Sequence, residues 1–465
     1  MTTPSGSTSF PALALLPELR AGIDALGYTT MTPVQAQALP IILEGGDLIA
    51  QAPTGSGKTA AFGLGLLHRL DPTVPLTQAL VLCPTRELAD QVGKQLRKLA
   101  TGIPNVKISI LCGGIPLGPQ LASLTQHEPQ VVVGTPGRIL ELMQRNALQP
   151  GAIRTLVLDE ADRMLDMGFE DAIRDMVRRL PKGRQSLLFS ATFPETIVAL
   201  GKAMLRGDAQ EVRIDGGAEP ATIEQLFFEA EHGRKAPLLA ALLLHYRPAS
   251  CVVFCNMRKS TEEVVGSLAH YGFSALALHG DMEQRDREEV LVRFANRSCS
   301  VLVASDVAAR GLDVEDLGAV VNYDLPSDAD TYLHRIGRTG RAGREGLALS
   351  LSLPDELSRQ TVIAERLGRS LRWGQMQPLT GRPGQVPSAP MTTLRIDAGR
   401  TDKLRPGDIV GALTGEAGLK VEAIGKIDVY PTRSYVAIAR GQAETALSRL
   451  RAGKIKGRRF RISRL

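Results

Sequence analysis

The chain has 465 residues, 43% hydrophobic and 22% charged, a globular balance long enough for about two to four domains. No apolar run approaches the roughly 18 residues of a membrane span, and Met1 to Phe10 carries no basic residue, so the expectation is a cytoplasmic protein without membrane partner or secretory leader. The net charge of +6 hides an asymmetry: residues 391–465 hold 16 Lys and Arg against 7 Asp and Glu, a net +9, and everything before them sums to −3, so a separate basic module calls for a polyanionic partner.

In residues 1–208 apolar runs alternate with helical patterns. The runs are Leu48–Ala50, Ala79–Cys83, Gln130–Val133, Thr155–Leu158 and Ser186–Phe189, the pattern of βαβ units in a parallel sheet covered by helices. Each is followed by a polar or Gly/Pro string, and in open α/β sheets ligands bind at the C-terminal strand ends, so these strings are expected on one rim. The first is Ala52, Pro53, Thr54, Gly55, Ser56, Gly57, Lys58 and Thr59, between a strand at Asp47–Gln51 and a helix from Lys58 to Leu70. Its glycines let backbone N–H groups wrap phosphates, Lys58 supplies charge for the β- and γ-phosphates, and the Thr59 hydroxyl is a hard ligand for Mg²⁺. Ala52 stands where the strict phosphate-loop pattern asks for Gly. After Thr155–Leu158 come Asp159 and Glu160, a carboxylate pair that can divide labour: Asp159 on Mg²⁺, partly through water, and Glu160 orienting and deprotonating the attacking water. The expectation is a protein that binds ATP with Mg²⁺ and hydrolyses it.

A polar stretch from Asp208 to Thr222 reads as a hinge. Residues 223–373 repeat the architecture, with runs at Cys251–Phe254, Ala275–Leu278, Val301–Ala304, Ala319–Val321 and Leu347–Leu351, but without a phosphate loop. Residues 374–390 are rich in Pro, Gly and Ser and read as a flexible linker. Beyond it the pattern is strand (Thr392–Ile396), helix (Pro406–Leu413), strands (Gly425–Val429, Ser434–Ala439), helix (Gln442–Arg451) and strand (Arg458–Ile462), a βαββαβ order. The five cysteines, Cys83, Cys112, Cys251, Cys255 and Cys299, form no Cys-x-x-Cys pair and are expected as buried reduced thiols. Asn296-Arg-Ser298 matches a glycosylation acceptor by letter only.

Taken in order, the strings from Gly27–Gln35 through Ala52–Thr59, Pro84–Ala89, Gly113-Gly114, Thr135–Arg138, Asp159–Asp162, Ser190–Thr192, Val252–Asn256, Gln284–Arg287, Ser305–Asp313 and His334–Arg341 resemble those of the DEAD-box RNA helicases over residues 10–370. The resemblance implies two tandem RecA-like parallel-sheet domains, an ATP hydrolase dependent on RNA, and roles position by position. Gln35 is similar to the adenine-reading glutamine, Phe10 to an aromatic that stacks on the base, and Gly311 and Asp313 to residues near ribose and phosphates. Arg338 and Arg341 resemble arginine fingers, His334 a histidine linking the two domains, and Ser190 and Thr192 the motif that couples hydrolysis to strand separation. Pro84, Thr85, Arg86, Gly114, Thr135, Gly137 and Arg138 resemble the first domain's RNA contacts, and Arg287 and Ser305 those of the second, with Ser305 replacing a commoner threonine. Such hydroxyls, N–H groups and arginines suit phosphate oxygens.

Residues 391–465 resemble the C-terminal domain of one bacterial branch of that family, which implies a small α+β RRM-like domain that directs the enzyme to 23S rRNA in a large-subunit assembly intermediate. The strand Thr392–Ile396 lacks the stacking aromatic of an ordinary RRM, so electrostatics and RNA shape are expected to dominate. The expected contacts are Arg400, Lys403, Lys420, Lys426, Arg433, Tyr435, Lys454 and Lys456. An ATP-gated RNA clamp with little unwinding, or a helicase acting on another structured RNA, stays open. A DNA translocase fits Gln35 and Asp162 less well, and a metabolic kinase has no use for His334–Arg341.

Overall fold

The computed structural model describes residues 10, 13–53, 55–126, 128–214, 223–309, 317–340, 345–375, 386–415 and 418–465. The chain divides into two compact units near residue 220. The first holds a seven-stranded parallel sheet built from β1 (Leu48–Gln51), β2 (Ala79–Leu82), β3 (Ile108–Leu111), β4 (Val131–Gly134), β5 (Thr155–Leu158), β6 (Gln185–Ser190) and β7 (Gln210–Arg213), in the order β3-β4-β2-β5-β6-β1-β7. The sequences Ala-Leu-Val-Leu, Val-Val-Val-Gly and Thr-Leu-Val-Leu of β2, β4 and β5 are wholly buried because helices cover both faces. Alternate residues feed two cores: Val81, Val133 and Val157 face one, Leu80, Val132 and Leu156 the other. Strand β7 lies beyond the domain boundary expected at residue 208 and completes the sheet beside β1.

Helix Arg86–Leu99 runs across this unit. The Thr85 hydroxyl caps its start by accepting from Leu88 N–H at 3.2 Å, Glu87 sits in the first turn, and Arg97 and Lys98 sit in the last, as the helix dipole favours. Its far end meets helix Pro17–Ala25 with no side chain between: a Cβ on Gly22 would lie 2.2 Å from the Leu99 carbonyl oxygen.

The second unit contains two sheets. A six-stranded parallel sheet is formed by β8 (Ile223–Glu229), β9 (Cys251–Cys255), β10 (Ala275–Leu278), β11 (Val301–Ser305), β12 (Ala319–Asn322) and β13 (Gly346–Ser352), in the order β10-β11-β9-β12-β13-β8. The last domain is an antiparallel sheet of β14 (Met391–Ile396), β15 (Ile424–Val429), β16 (Ser434–Ala439) and β17 (Ile462–Arg464), in the order β15-β16-β14-β17, with helices Pro406–Thr414 and Ala443–Ala452. The βαββαβ order is thus present, but the final strand falls at Ile462–Arg464 instead of Arg458–Ile462. Leu394, Ile396, Val436 and Ile438 point to the helices and pack with Ile409, Leu413 and Leu447.

The alternate residues of β14 and β16 form the sheet's other face, and that face is covered. Thr393, Ala437 and Tyr435 are 0%, 1% and 2% exposed, and Thr393 is hydrogen-bonded to Asn296 of the six-stranded domain. The expected flexible linker is therefore seated at its end. Val386 packs on the second domain's core, Ala389 is buried, and Pro387–Pro390 line a cavity of about 160 Å³ with Leu243, Phe273 and Arg297. All five cysteines are free and buried, and desolvation raises every thiol, Cys112 to about 12. Asn296 is buried in the domain contact, which removes it as a glycosylation acceptor. Among the described residues no helix is long and apolar enough to cross a membrane.

Candidate nucleotide and nucleic-acid site

The strings that follow β1, β5 and β6 lie side by side because those strands are close in the sheet. Gly55 and Gly57 adopt φ of +80° and +94°, which side chains disfavour, and let the loop fold over the start of helix Lys58–His68. Lys58 is 6% exposed and donates from Nζ to the Ala52 carbonyl at 2.8 Å. The Ala52 N–H in turn bonds the Ser190 carbonyl at 3.0 Å, so Ala52 in place of Gly is compatible with a formed loop. Gln35 accepts from Thr32 N–H at 2.9 Å and donates to the Gly57 carbonyl at 3.1 Å. The same amide expected to read adenine therefore touches the phosphate loop. Phe10 is 4% exposed with its ring stacked on Tyr28, centroids 6.2 Å apart, so it is packed within the first unit's core. Thr59 is half-buried in the helix's first turn, and Pro53 is exposed.

Asp159 is 3% exposed at the end of β5. Burial pushes its carboxyl up to about 7, with Lys58 pulling down and Glu160 adding to the rise. Among the described residues its Oδ1 is buried without a hydrogen-bond partner, as is Ser56 Oγ. Buried polar atoms without partners are expensive, and a Mg²⁺–phosphate group would satisfy both. Glu160 takes a left-handed φ of +55°, a strained conformation for a non-glycine residue, and precedes helix Ala161–Asp166. One oxygen of Asp162 accepts from Ala191 N–H (3.2 Å), Thr192 N–H (3.0 Å) and the Thr192 hydroxyl (3.0 Å), while the Ser190 hydroxyl donates to the Thr192 carbonyl at 2.7 Å. Residues 190–192 are thereby fixed to the carboxylate string.

The strings following β2, β3 and β4 gather on the other half of the same rim. Thr85 caps the helix that begins at Arg86, and a Cβ on Gly114 (φ +67°) would collide with the Arg86 guanidinium. Thr135 Oγ1 accepts from Gly113 N–H at 3.1 Å. Arg138 pairs with Glu141 at 3.1 Å and donates to the Ile115 carbonyl at 3.0 Å, and its Nη1 is buried without a partner among the described residues. Gly137 faces open space. Pro84, Thr85, Arg86, Gly114, Thr135, Gly137 and Arg138 thus come together as a donor-rich ledge suited to phosphate oxygens.

In the second unit Ser305 ends β11 and is 7% exposed, while Arg287 donates to the carbonyls of His279 (3.3 Å) and Ala308 (3.4 Å). His334 sits in helix Ala329–Ile336 and Arg338 just past it, where the Arg338 carbonyl accepts from Leu317 N–H. Thr54, Gly311, Asp313 and Arg341 lie outside the described residues. Sequence reading assigned no role to Arg335, which is 2% exposed. It forms a two-pronged ion pair with Asp306 (2.7 and 2.6 Å) and reaches Asn256 Oδ1 (2.9 Å), Asn322 Oδ1 (3.2 Å) and the Asp324 carbonyl (2.7 Å). One guanidinium thus ties together the ends of β9, β11 and β12. The signal was its place three residues after buried Tyr332: a charge on a helix's apolar stripe must find partners.

In the last domain Arg400, Lys403, Lys420, Lys426, Lys454 and Lys456 are exposed and Arg433 half-exposed. Lys456 Nζ donates to the Lys403 carbonyl at 2.8 Å, which brings the loop before β17 onto the turn Arg400–Asp402. Lys426 is paired with Asp428 at 3.3 Å on β15. Tyr435 is a correction: its ring is buried and edge-on to Tyr430, so it offers no platform to a base.

Comparison with known proteins agrees with this geometry. Residues 32–200 match the DEAD/DEAH box helicase family, 234–343 the helicase conserved C-terminal domain, and 393–464 the DbpA RNA binding domain. The chain is 52% identical to the ATP-dependent RNA helicase DbpA of Escherichia coli K12, covering 98% of this chain and 99% of that protein. It is 41% identical to the ATP-dependent RNA helicase CshA of Listeria monocytogenes, over 80% of this chain and 70% of that one. Its fold is similar to S. cerevisiae Dbp5 bound to RNA and ADP BeF3, with TM-score 0.72 and 33% identity over 79% of this chain and 96% of that one.

Proposed function

The chain belongs to the DEAD-box ATP-dependent RNA helicases of the DbpA type, and from that premise we propose that it separates short RNA duplexes locally, directed by its C-terminal domain to 23S rRNA in a large-subunit assembly intermediate. The observation that supports the chemistry is Asp159: a buried carboxylate with one oxygen unpartnered among the described residues, its burial penalty offset only in part by the Lys58 charge. Thr59 and Asp159, partly through water, would hold a Mg²⁺ ion, which neutralises charge on the phosphate oxygens. Glu160 orients and deprotonates the attacking water, Gln35 reads the adenine edge, and Arg338 and Arg341 supply positive charge from the second lobe. Turnover therefore requires both lobes to engage one nucleotide. Hydrogen bonds join Asp162, Ser190 and Thr192, which ties residues 190–192 to the carboxylate string beside the phosphates.

The ribosomal target is supported by the net +9 of the last 75 residues and by the match over 393–464. The test uses the full chain. Fragments of 23S rRNA should half-saturate ATPase at concentrations about tenfold below poly(U), and Lys403→Glu with Lys456→Glu should erase that preference. Equal stimulation of the wild type by both RNAs would remove the ribosomal target and leave the RNA-dependent ATPase standing.

A further inference from the structure

The turn after β3 carries Gly114, one of the ledge residues, and side chains from elsewhere in the first unit hold that turn. Gln120 lies one turn into helix Leu117–Gln126, on the inward stripe it shares with Leu117, Leu121 and Leu124, and is 7% exposed. An amide on such a stripe is unfavourable unless it finds a partner. Its Nε2 donates to the Cys112 carbonyl at 3.0 Å. The N–H of the same peptide group, on Gly113, donates to Thr135 Oγ1 at 3.1 Å. The Cys112–Gly113 peptide plane is thus gripped at both polar ends, by a helix side chain on one and by the residue after β4 on the other. Arg138 donates to the Ile115 carbonyl at 3.0 Å and pins the far side of the turn. Gly114 lies between these pins with φ +67°, and its N–H makes no backbone hydrogen bond among the described residues.

We propose that Gln120 is a positioning residue for RNA: by fixing the Cys112–Gly113 peptide it sets the direction in which the Gly114 N–H is offered to a phosphate oxygen. The proposal rests on the reading that the ledge holds RNA. Backbone N–H groups at a glycine turn suit phosphate oxygens. Two successive glycines are also the freest kind of backbone, so the turn keeps one orientation only while something outside it holds the peptide. Gln120 is buried and acts through that peptide. Its contribution is to the grip on any single strand, since phosphate contacts carry no base sequence.

The test uses the full chain with poly(U), which keeps the choice of ribosomal target out of the measurement. Gln120→Met keeps the length and packing of the side chain and removes its donor. The poly(U) concentration for half-maximal ATPase should rise about tenfold, with kcat at saturating RNA and the KM for ATP both within about twofold of wild type. The slope of log RNA affinity against log salt should shrink by about 0.7, the share of one phosphate contact on a single strand. Thr135→Val releases the other end of the same peptide. Adding Gln120→Met to it should therefore weaken poly(U) by less than about twofold more. An unchanged poly(U) response in Gln120→Met, an equal loss in kcat or in the KM for ATP, or a full further loss on top of Thr135→Val would make Gln120 ordinary packing and overturn the proposal. Arg86→Ala separates this from the reading beneath it. If Arg86→Ala weakens poly(U) and Gln120→Met does not, the ledge stands and the positioning by Gln120 falls. If Arg86→Ala has no effect, the ledge falls and the proposal falls with it.

Discussion

The two RecA-like lobes share a topology and differ in how they treat the charges at their strand ends. In the second lobe, Arg335 satisfies Asp306, Asn256, Asn322 and the Asp324 carbonyl, and the network closes on itself. In the first, Asp159 Oδ1 and Ser56 Oγ are buried without partners among the described residues, and Asp159 carries a raised pKa. A closed network holds a shape, whereas an open one waits for a ligand. The fold supplies the rim, and the chemistry depends on which atoms are left unmatched there.

Four substitutions would break or sharpen that contrast. The largest effect belongs to Glu160→Gln, which keeps the shape and removes the carboxylate proposed as the base: ATP turnover should fall about 10²- to 10⁴-fold while equilibrium binding of ATP and RNA persists. Near-normal turnover in single-turnover assays would dismiss Glu160 as the base. Next is Arg335→Ala, which strands Asp306. Since Asp306 is 24% exposed, the loss should sit at the low end for a broken buried pair, about 3 kcal/mol, confined to the second lobe's urea transition. A shift shared by both lobes would contradict the closed network.

Asp159 comes third and gives a pH signature. Its folded pKa of about 7 lies above its usual 3.8, so between those values the native protein keeps a proton the unfolded chain has lost. Stability from this group therefore falls as pH rises through that window and levels off above it. Asp159→Asn should raise the melting temperature of the nucleotide-free protein more at pH 8 than at pH 5. An equal gain at both would contradict the raised pKa. The smallest effect is expected for Gly57→Ala. A Cβ there would lie 2.4 Å from the Gln35 amide nitrogen on a backbone with φ +94°. Strain of about 1–2 kcal/mol should weaken nucleotide binding about tenfold by calorimetry.

What the sequence hid has a common cause. The central strands were legible because burial on both faces demands continuous apolar runs. The three strands not anticipated, β3, β7 and β8, all lie at sheet edges. In Gln210–Arg213 only Val212 is buried, and β8 carries Gln225, whose side chain accepts from the Tyr332 hydroxyl at 2.9 Å. The three-residue β17 is likewise an edge strand, and the expected range Arg458–Ile462 begins upstream of it. Phosphate-loop and carboxylate residues were legible because their chemistry fixes their spacing. Arg335 was not, since its partners lie far away in sequence and only the folded chain brings them together.

The bare contact at Gly22 has a mechanical consequence. Helix Arg86–Leu99 spans about 21 Å as a stiff strut, with the ledge at Arg86 on one end and the segment leading to Gln35 braced against the other. With backbone resting on backbone, no rotamer can absorb a bulkier residue, so even a methyl group must shove the strut or the brace aside. The tolerance of this position is set by ångströms of clearance rather than by polarity, and its occupant must be the smallest residue there is.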